Sequence, residues 1–287
     1  MIRTSRGSFA ALDALPVPGV CERDTALLIP GLTGSKEDFL ALLDQLAAAG
    51  RRVIAIDMRG QYQTPGLDHN ADLQGQDGYT PAALGADIAA IVRETGTRHL
   101  LGHSYGGLVA REAMLDYLPG DGVESLTLMS SGPSALTGPR ADELRAMLAA
   151  LGVPDGEVPA ERALPVAALW ESHLEPQALT AGIPAPIVAF LRDRMLSNDP
   201  VALVRMAWHL LTAPDRTDEL TDLDDVPMLV IYGENDNSWT PDAQEEMAIR
   251  LGAQRICIPG AVHSPNVEAP ATTASALTGF WDAAEKR

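Results

Sequence analysis

The pattern Gly102-His103-Ser104-Tyr105-Gly106 constrains the fold of this chain most strongly, because it lies between an apolar run and a helix-like stretch. The apolar run covers residues 98–101, and the helical pattern covers residues 105–117. Glycines two places before and two places after a serine allow a turn so sharp that the serine side chain projects from it. The sequence therefore predicts a strand, a sharp turn and a helix, with the hydroxyl of Ser104 presented as a nucleophile.

A serine hydroxyl is a weak nucleophile at neutral pH, so this hypothesis requires a general base and an acid that orients the base. Asp236 follows a strongly apolar run, and His263 lies in a loop after another short apolar run. Glu234, two residues before Asp236, is a less favoured candidate for the acid. The order Ser104, Asp236, His263 along the chain is typical of one particular fold.

Two further segments complete a pattern that resembles the α/β-hydrolase fold. Residues 27–34 (LLIPGLTG) resemble the oxyanion loop of that family, and residues 54–60 (IAIDMRG) resemble its strand and D-x-R-G turn. With the serine, acid and histidine segments, the resemblance covers nearly the whole chain. It implies that Ser104 is the nucleophile, that His263 acts first as general base and then as acid, and that Asp236 orients the histidine.

The same resemblance implies an oxyanion hole made by the backbone N–H groups of Leu32 and Tyr105. Pro30 stands where many members have histidine. Proline has no N–H, but the donor belongs to the residue after Gly31, so Leu32 can still supply it. A second departure is the long polar loop at residues 61–78, which is interpreted either as a solvated surface loop or as a rim or lid of the site.

Apolar runs alternate with helical patterns, which predicts an α/β fold with a doubly wound, mostly parallel sheet covered by helices on both faces. The segment before residue 25 looks too short for the leading antiparallel strands of many family members. Strands are predicted at residues 25–30, 52–57, 98–102, 123–130, 226–232 and 254–258, and helices at residues 35–49, 80–95, 105–117, 241–251 and 265–285.

Between residues 130 and 226 the chain shows helical periodicity without a strand pattern, and this segment is too long for a simple crossover. The resemblance implies an all-helical cap at residues 137–222, inserted into a core domain formed by residues 1–136 and 223–287. Helices of the cap are predicted near residues 139–152, 158–175, 184–197 and 199–213.

Several large or polar side chains of the predicted cap are candidates for the wall of a mostly apolar substrate pocket. Each of them alone is more often explained by packing inside a helical core or by surface exposure. The substrate-binding candidates are Trp170, Met206 and Trp208, together with His173, Met195 and His209.

The formal net charge of −18, from 39 acidic and 21 basic residues, argues against nucleic acid and anionic membrane partners. Cys21 and Cys257 are far apart and do not have metal-ligand spacing, and the histidines, His69 and His99 among them, form no helical metal motif. We therefore expect no metal and no cofactor.

The N-terminal segment lacks the apolar core of a signal peptide, which favours a cytoplasmic location. The expected partner is a small-molecule substrate, and a homo-oligomer is left open.

These features favour a serine hydrolase that cleaves an ester or thioester of a small to medium apolar acyl substrate. Three alternatives stay open: a cofactor-free haloperoxidase or perhydrolase that uses the same three residues, a C–C bond hydrolase or lyase of specialised metabolism, and a ligand receptor without catalysis. The last is the least favoured, because a receptor has no physical need for a nucleophile, a base and an acid together.

Overall fold

The computed structural model describes residues 1–67, 78–156, 165–223 and 226–286. Within these ranges, seven strands form one sheet in the order β3-β5-β4-β6-β7-β8-β9, and β1 and β2 form a separate antiparallel pair. The strands are β1 Ile2–Thr4, β2 Gly7–Phe9, β3 Ala11–Ala14, β4 Arg23–Ile29, β5 Arg51–Ile56, β6 His99–His103, β7 Ser125–Met129, β8 Met228–Gly233 and β9 Gln254–Ile258.

All neighbouring strands of the sheet are parallel except β3, which pairs with β5 antiparallel. The predicted α/β fold with a mostly parallel sheet is confirmed, and each of the six predicted strands is present. The expectation for the segment before residue 25 was wrong, because β1, β2 and β3 all lie there. These strands are three or four residues long and only partly buried, so they produce no long apolar run.

The helices follow the predicted alternation, and a 3₁₀ turn at Lys36–Phe39 precedes the first of them. Residues 68–77 of the long polar loop, with His69, and residues 158–164 of the predicted second cap helix lie outside the described residues. The helices are α1 Leu40–Ala48, α2 Pro81–Thr95, α3 Tyr105–Asp116, α4 Gly138–Ala150, α5 Val166–Leu169, α6 Glu175–Thr180, α7 Ala185–Ser197, α8 Pro200–Thr212, α9 Thr217–Leu220, α10 Pro241–Leu251, α11 Pro265–Glu268 and α12 Pro270–Ala284.

Side chains that alternate along the central strands build two hydrophobic layers, one on each face of the sheet. In β4, Leu27 and Ile29 belong to one layer, whereas Ala26 and Leu28 belong to the other. Helices α2, α3 and α10 pack in the first layer, and α1 and α12 pack in the second. A parallel sheet buried on both faces explains why its strands read as continuous apolar runs.

Helices α4 to α9 all lie in the chain between β7 and β8, as the cap hypothesis requires. Their buried side chains belong to the same hydrophobic layer as α2 and α3. The division into a core domain and a cap domain stays a prediction. Among the described residues, no helix combines the length and the apolar composition that crossing a bilayer requires.

Candidate active site

Ser104 occupies a strained turn between the end of β6 and the start of α3. Its φ of 53° and ψ of −121° lie in a backbone region that residues other than glycine rarely adopt. The flanking glycines are required by contact: a Cβ on Gly102 would lie 2.2 Å from the carbonyl oxygen of Gly106, and a Cβ on Gly106 would lie 2.4 Å from that of Pro30. The predicted sharp turn is therefore present, and the serine is held at the carboxyl edge of the sheet.

The three residues predicted to act together are in contact. The hydroxyl of Ser104 lies 3.0 Å from Nε2 of His263, and Nδ1 of the same histidine lies 3.0 Å from Oδ1 of Asp236. Because a carboxylate can only accept, Nδ1 carries the proton and Nε2 offers its lone pair to the serine hydroxyl. This is the protonation pattern that a general base next to a nucleophile requires.

Three donors hold Asp236 in its ionised form. Burial acts to raise the pKa of this carboxyl, but hydrogen bonds from His263, from the backbone N–H of Ser238 and from the side chain of Gln244 outweigh it and lower the pKa. The Gln244 amide lies 2.9 Å from Oδ2 and is itself fully buried on α10. The acid is thus a buried, fixed carboxylate.

The loop that carries His263 is held by acidic side chains on both sides. Glu268 accepts from the backbone N–H groups of Val262 and Ser264, the residues that flank the histidine. Glu234, the alternative acid, instead accepts from the N–H of Gly260 at 2.9 Å. In this structure Asp236, and not Glu234, contacts the histidine.

His103, the variable residue of the serine motif, also holds the loop that carries His263. Its Nε2 lies 2.8 Å from the carbonyl oxygen of His263, so this nitrogen carries the proton and donates. Burial, together with the nearby His263 ring, lowers the pKa of His103 to about 4. His103 is therefore neutral at physiological pH.

The oxyanion loop lies directly against the serine. A Cβ on Gly31 would lie 3.0 Å from Cβ of Ser104 and 3.4 Å from its hydroxyl oxygen. The predicted donors belong to residues beside this contact, since Leu32 follows Gly31 and Tyr105 is the first residue of α3. The oxyanion hole itself stays a prediction. The side chain of Gln61 donates from Nε2 to the carbonyl oxygen of Gly31 at 2.8 Å.

The start of the long polar loop connects the oxyanion loop to the helical segment, which consists of helices α4 to α9 between β7 and β8. Tyr62 donates its backbone N–H to Oδ1 of Asn198 at 3.0 Å, and the N–H of Asp199 donates to the carbonyl oxygen of Gly60 at 2.8 Å. Asn198 and Asp199 form the junction between α7 and α8. Residues 61–67 of the loop thus pack between the oxyanion loop and the helices.

A cavity of about 740 Å³ opens beside Ser104 and His263. Trp170, one of the predicted pocket residues, contributes to its wall. A π-turn covers Trp170–Leu174, which also brings His173 to the wall. Most of the lining side chains are apolar, among them Leu136, Leu144, Met147, Leu169, Leu174, Ile183, Leu191, Met195, Leu210 and Trp239.

Met206 and Trp208, the other two predicted pocket residues, do not line this cavity. Met206 is fully buried in the hydrophobic layer under α8, and Trp208 packs over the backbone of Gly156. His209, on the same helix, does not line the cavity either. Leu210 marks the face of α8 that reaches the cavity, and no sequence pattern singled it out.

One ion pair in the cavity wall joins α7 to the 3₁₀ turn that precedes α1. Arg194 of α7 donates to Oδ1 of Asp38 at 2.5 Å, and both residues line the cavity. A second pair, Arg140 with Glu143, lies on the exposed side of α4. The guanidinium groups of the wall are thus each paired with a carboxylate of the wall.

One group of residues within the described ranges brings metal-ligand atoms together. Ligand atoms of Asp24, His99 and Glu124 lie within 4.8 Å of one another. Both ring nitrogens of His99 already contact side chains, namely those of Ser125 and Glu285. This group lies at the opposite end of β6 from Ser104, so it takes no part in the site.

A strained serine after β6, an acid after β8 and a histidine after β9 are the arrangement of the α/β hydrolases. Comparison with known proteins agrees: a model of the alpha/beta hydrolase family matches residues 26–276, and the chain belongs to that family.

Among solved structures, a thermophilic esterase from Thermogutta terrifontis superposes with a TM-score of 0.72. The match covers 99% of this chain and 97% of the esterase at 24% sequence identity, which shows a common fold.

Curated relatives match over shorter segments. A putative carbamate hydrolase RutD from Variovorax paradoxus is 38% identical over 102 residues, which is 35% of this chain and 36% of the relative. A proline iminopeptidase from Lactobacillus helveticus is 34% identical over 117 residues, which is 40% of this chain and 38% of the relative. The chain spans little more than a third of the length of these relatives.

Proposed function

We propose that this protein is a serine hydrolase that cleaves the ester or thioester bond of a small to medium, uncharged and mostly apolar acyl substrate. The observation that carries the proposal is the 3.0 Å contact between the Ser104 hydroxyl and Nε2 of His263, at the wall of a cavity of about 740 Å³. Cavities of this size are typical of small-molecule sites.

The chemistry follows from the proton positions. Oγ of Ser104 attacks the carbonyl carbon while its proton passes to Nε2 of His263, and Asp236 stabilises the imidazolium that forms. The backbone N–H groups of Leu32 and Tyr105 bind the oxyanion of the tetrahedral intermediate. As the intermediate collapses, the alcohol or thiol leaves with the proton from His263, and Ser104 stays acylated.

Deacylation repeats these steps with water. His263 takes a proton from the water molecule as its oxygen attacks the acyl carbon, and the second tetrahedral intermediate expels Oγ of Ser104. The proton then returns to Ser104, and the carboxylic acid is released. Each half of the reaction begins with neutral His263, whose Nε2 takes the proton while its Nδ1–H donates to Asp236.

The cavity wall supports an uncharged, apolar substrate. Apolar side chains make up most of its lining, and a buried charge without a partner would be unfavourable there. Arg194 is neutralised by Asp38, and Arg140 by Glu143. The names of the relatives, an esterase, a carbamate hydrolase and an iminopeptidase, also support acyl transfer to water.

The test combines covalent labelling with turnover. The folded protein is treated with a fluorophosphonate, and its intact mass is compared with those of Ser104→Ala and Ser172→Ala. Ser172 is an exposed serine of the helical segment and serves as a control. We expect a single adduct in the wild type and in the control, and none in Ser104→Ala.

Hydrolysis of p-nitrophenyl esters of graded chain length then measures the substrate range, and a peroxide assay with acetate tests perhydrolysis. A folded wild-type protein that neither reacts with the probe nor hydrolyses any ester would overturn the proposal. Halogenation that depends on peroxide and exceeds ester hydrolysis would favour the perhydrolase instead.

A further inference from the structure

The side chain of Gln61 lies buried between two loops, with only 3% of its surface exposed. Its Nε2 donates to the carbonyl oxygen of Gly31 at 2.8 Å, and its Oε1 accepts from the backbone N–H of Met58 at 3.0 Å. Because one partner can only accept and the other can only donate, the orientation of the amide is fixed. A buried amide with both ends bonded is a rigid element.

The contact with Gly31 acts on the peptide unit between Gly31 and Leu32. The carbonyl group and the N–H group of one trans peptide lie in a plane and point in opposite directions. A donor that holds the Gly31 oxygen therefore also sets the direction of the Leu32 N–H. The same oxygen accepts a second hydrogen bond from the N–H of Gly34 at 3.1 Å.

The position of this peptide gives the contact its importance. Gly31 lies against the nucleophile, since its Cβ position is only 3.4 Å from the Ser104 hydroxyl oxygen. Gly31, Leu32 and Ser104 line the same cavity. A rotation of the peptide plane would move the Leu32 N–H without moving any residue of the triad.

Gln61 is itself held by a hydrogen-bonded turn. Its N–H donates to the carbonyl oxygen of Met58 at 2.9 Å, and its own carbonyl oxygen accepts from the N–H of Thr64 at 2.8 Å. The hydroxyl of Thr64 donates to the carbonyl oxygen of Asp57 at 2.9 Å, and the carboxylate of Asp57 accepts from the N–H of Lys36 at 2.8 Å. The turn and the oxyanion loop thus form one connected frame.

We propose that Gln61 is a positioning residue of the hydrolase: its amide fixes the Gly31–Leu32 peptide so that the Leu32 N–H faces the oxyanion. This inference rests on the proposed function, because an oxyanion forms only if Ser104 attacks a carbonyl. Gln61 does not line the cavity, and its side chain bonds to Gly31 and Met58 and not to the triad, so it acts through the peptide of the oxyanion loop.

The main variant is Gln61→Met, which keeps the length of the side chain and removes the amide. Loss of a whole oxyanion donor costs about 10²–10³ in kcat in other enzymes. Because Gly34 still holds the Gly31 oxygen, we expect a smaller loss, about ten- to a hundredfold in kcat, with KM changed by less than about twofold. Gln63→Met, two residues away with an exposed side chain, is the matched control and should keep wild-type kcat.

A trifluoromethyl ketone inhibitor tests the positioning role directly, because a loss of stability alone would not change its affinity. It adds to the serine and places an oxyanion in the hole, so its affinity should weaken by the same factor as kcat/KM. Gln61→Glu keeps the acceptor for Met58 and loses the donor when ionised. When protonated, its O–H can donate to Gly31, so its activity relative to the wild type should rise as pH falls.

Wild-type kcat and ketone affinity in folded Gln61→Met would overturn the inference, and so would a Gln61→Glu variant whose relative activity does not change with pH. If Gln61→Met does not fold, the Gln61→Glu profile decides. In either case, the loss of labelling in Ser104→Ala would leave the proposed function intact. An unreactive, folded wild type would instead overturn the proposed function and this inference with it.

Discussion

The Gln244 amide donates to Oδ2 of Asp236 at 2.9 Å, on the carboxylate oxygen that His263 does not contact. The same nitrogen donates to the carbonyl oxygen of Trp239 at 2.8 Å. Asp236 is therefore held from α10 on one side and bound to the histidine on the other. The rotation of the carboxylate, and with it the direction of the His263 ring, depends on a residue outside the triad.

We expect Gln244→Met to lower kcat about tenfold, because Asp236 stays ionised but loses the donor that fixes its plane. KM should change little, since Gln244 does not line the cavity. The control is Gln254→Met, an exposed glutamine of β9. Steady-state hydrolysis of a p-nitrophenyl ester measures both. A Gln244→Met enzyme with wild-type kcat would show that His263 and Ser238 orient the carboxylate without help.

Asp236→Asn should have a far larger effect, because an amide can donate to Nδ1 of His263 and favour the wrong tautomer. In a serine protease the corresponding change lowers kcat about 10⁴-fold. The matched control is Glu234→Gln, which removes the charge of the neighbouring acid that caps Gly260. If Glu234→Gln instead lost activity and Asp236→Asn retained it, the assignment of the acid would be reversed.

The two tryptophans of the helical segment make a matched pair for the substrate pocket. Trp170→Leu removes part of the cavity wall, so we expect the preferred ester chain to become longer. Trp208→Leu should leave the chain-length preference unchanged, because Trp208 packs over Gly156 away from the cavity. Relative kcat/KM over a series of p-nitrophenyl esters is the measurement. Equal shifts in both variants would mean that the effect comes from loosened helices and not from the wall.

His103 should make stability depend on pH between about 4 and 6.5. Its pKa is lowered to about 4 in the folded protein, so in this range the unfolded chain binds a proton that the fold does not. Stability should therefore fall as pH is lowered through this window, by as much as about 3 kcal/mol from this residue. His103→Gln keeps a donor for the His263 carbonyl and cannot titrate.

Urea unfolding of the wild type and of His103→Gln at pH 7.5, 6, 5 and 4 measures the difference. We expect the free energy of unfolding of His103→Gln, relative to that of the wild type, to rise as pH falls. Parallel curves for the wild type and His103→Gln would show that His103 titrates normally in the fold.

The predictable part of this molecule was encoded in short segments. The serine turn, the apolar strands and the acid and histidine loops each depend on neighbouring residues, and their order placed Ser104, Asp236 and His263 at one edge of the sheet. The supporting amides of Gln61 and Gln244 had no such pattern. Their partners are 30 and 8 residues away, and glutamine is common in exposed turns and helices.

The sequence predicted that the pocket is mostly apolar, but not which residues line it. The apolar side chains of the helical segment indicated an apolar cavity, whereas the face of α8 that lines it depends on how the helix docks. That docking buries Met206 and turns Leu210 toward the cavity. The leading strands were missed for a different reason, since three or four partly buried residues are too few to show a period.

The hydrogen bonds that Asn198 accepts and Asp199 donates have a consequence for engineering by segment exchange. They connect the α7–α8 junction to Gly60 and Tyr62, which flank Gln61 in the chain. A chimera whose new helices carry another residue in place of Asn198 would lose the side-chain acceptor for the Tyr62 N–H, even if every residue of the triad and of the oxyanion loop were retained. We expect such a chimera to gain the new specificity but to have a lower kcat, unless the turn at residues 58–65 is exchanged together with the helices.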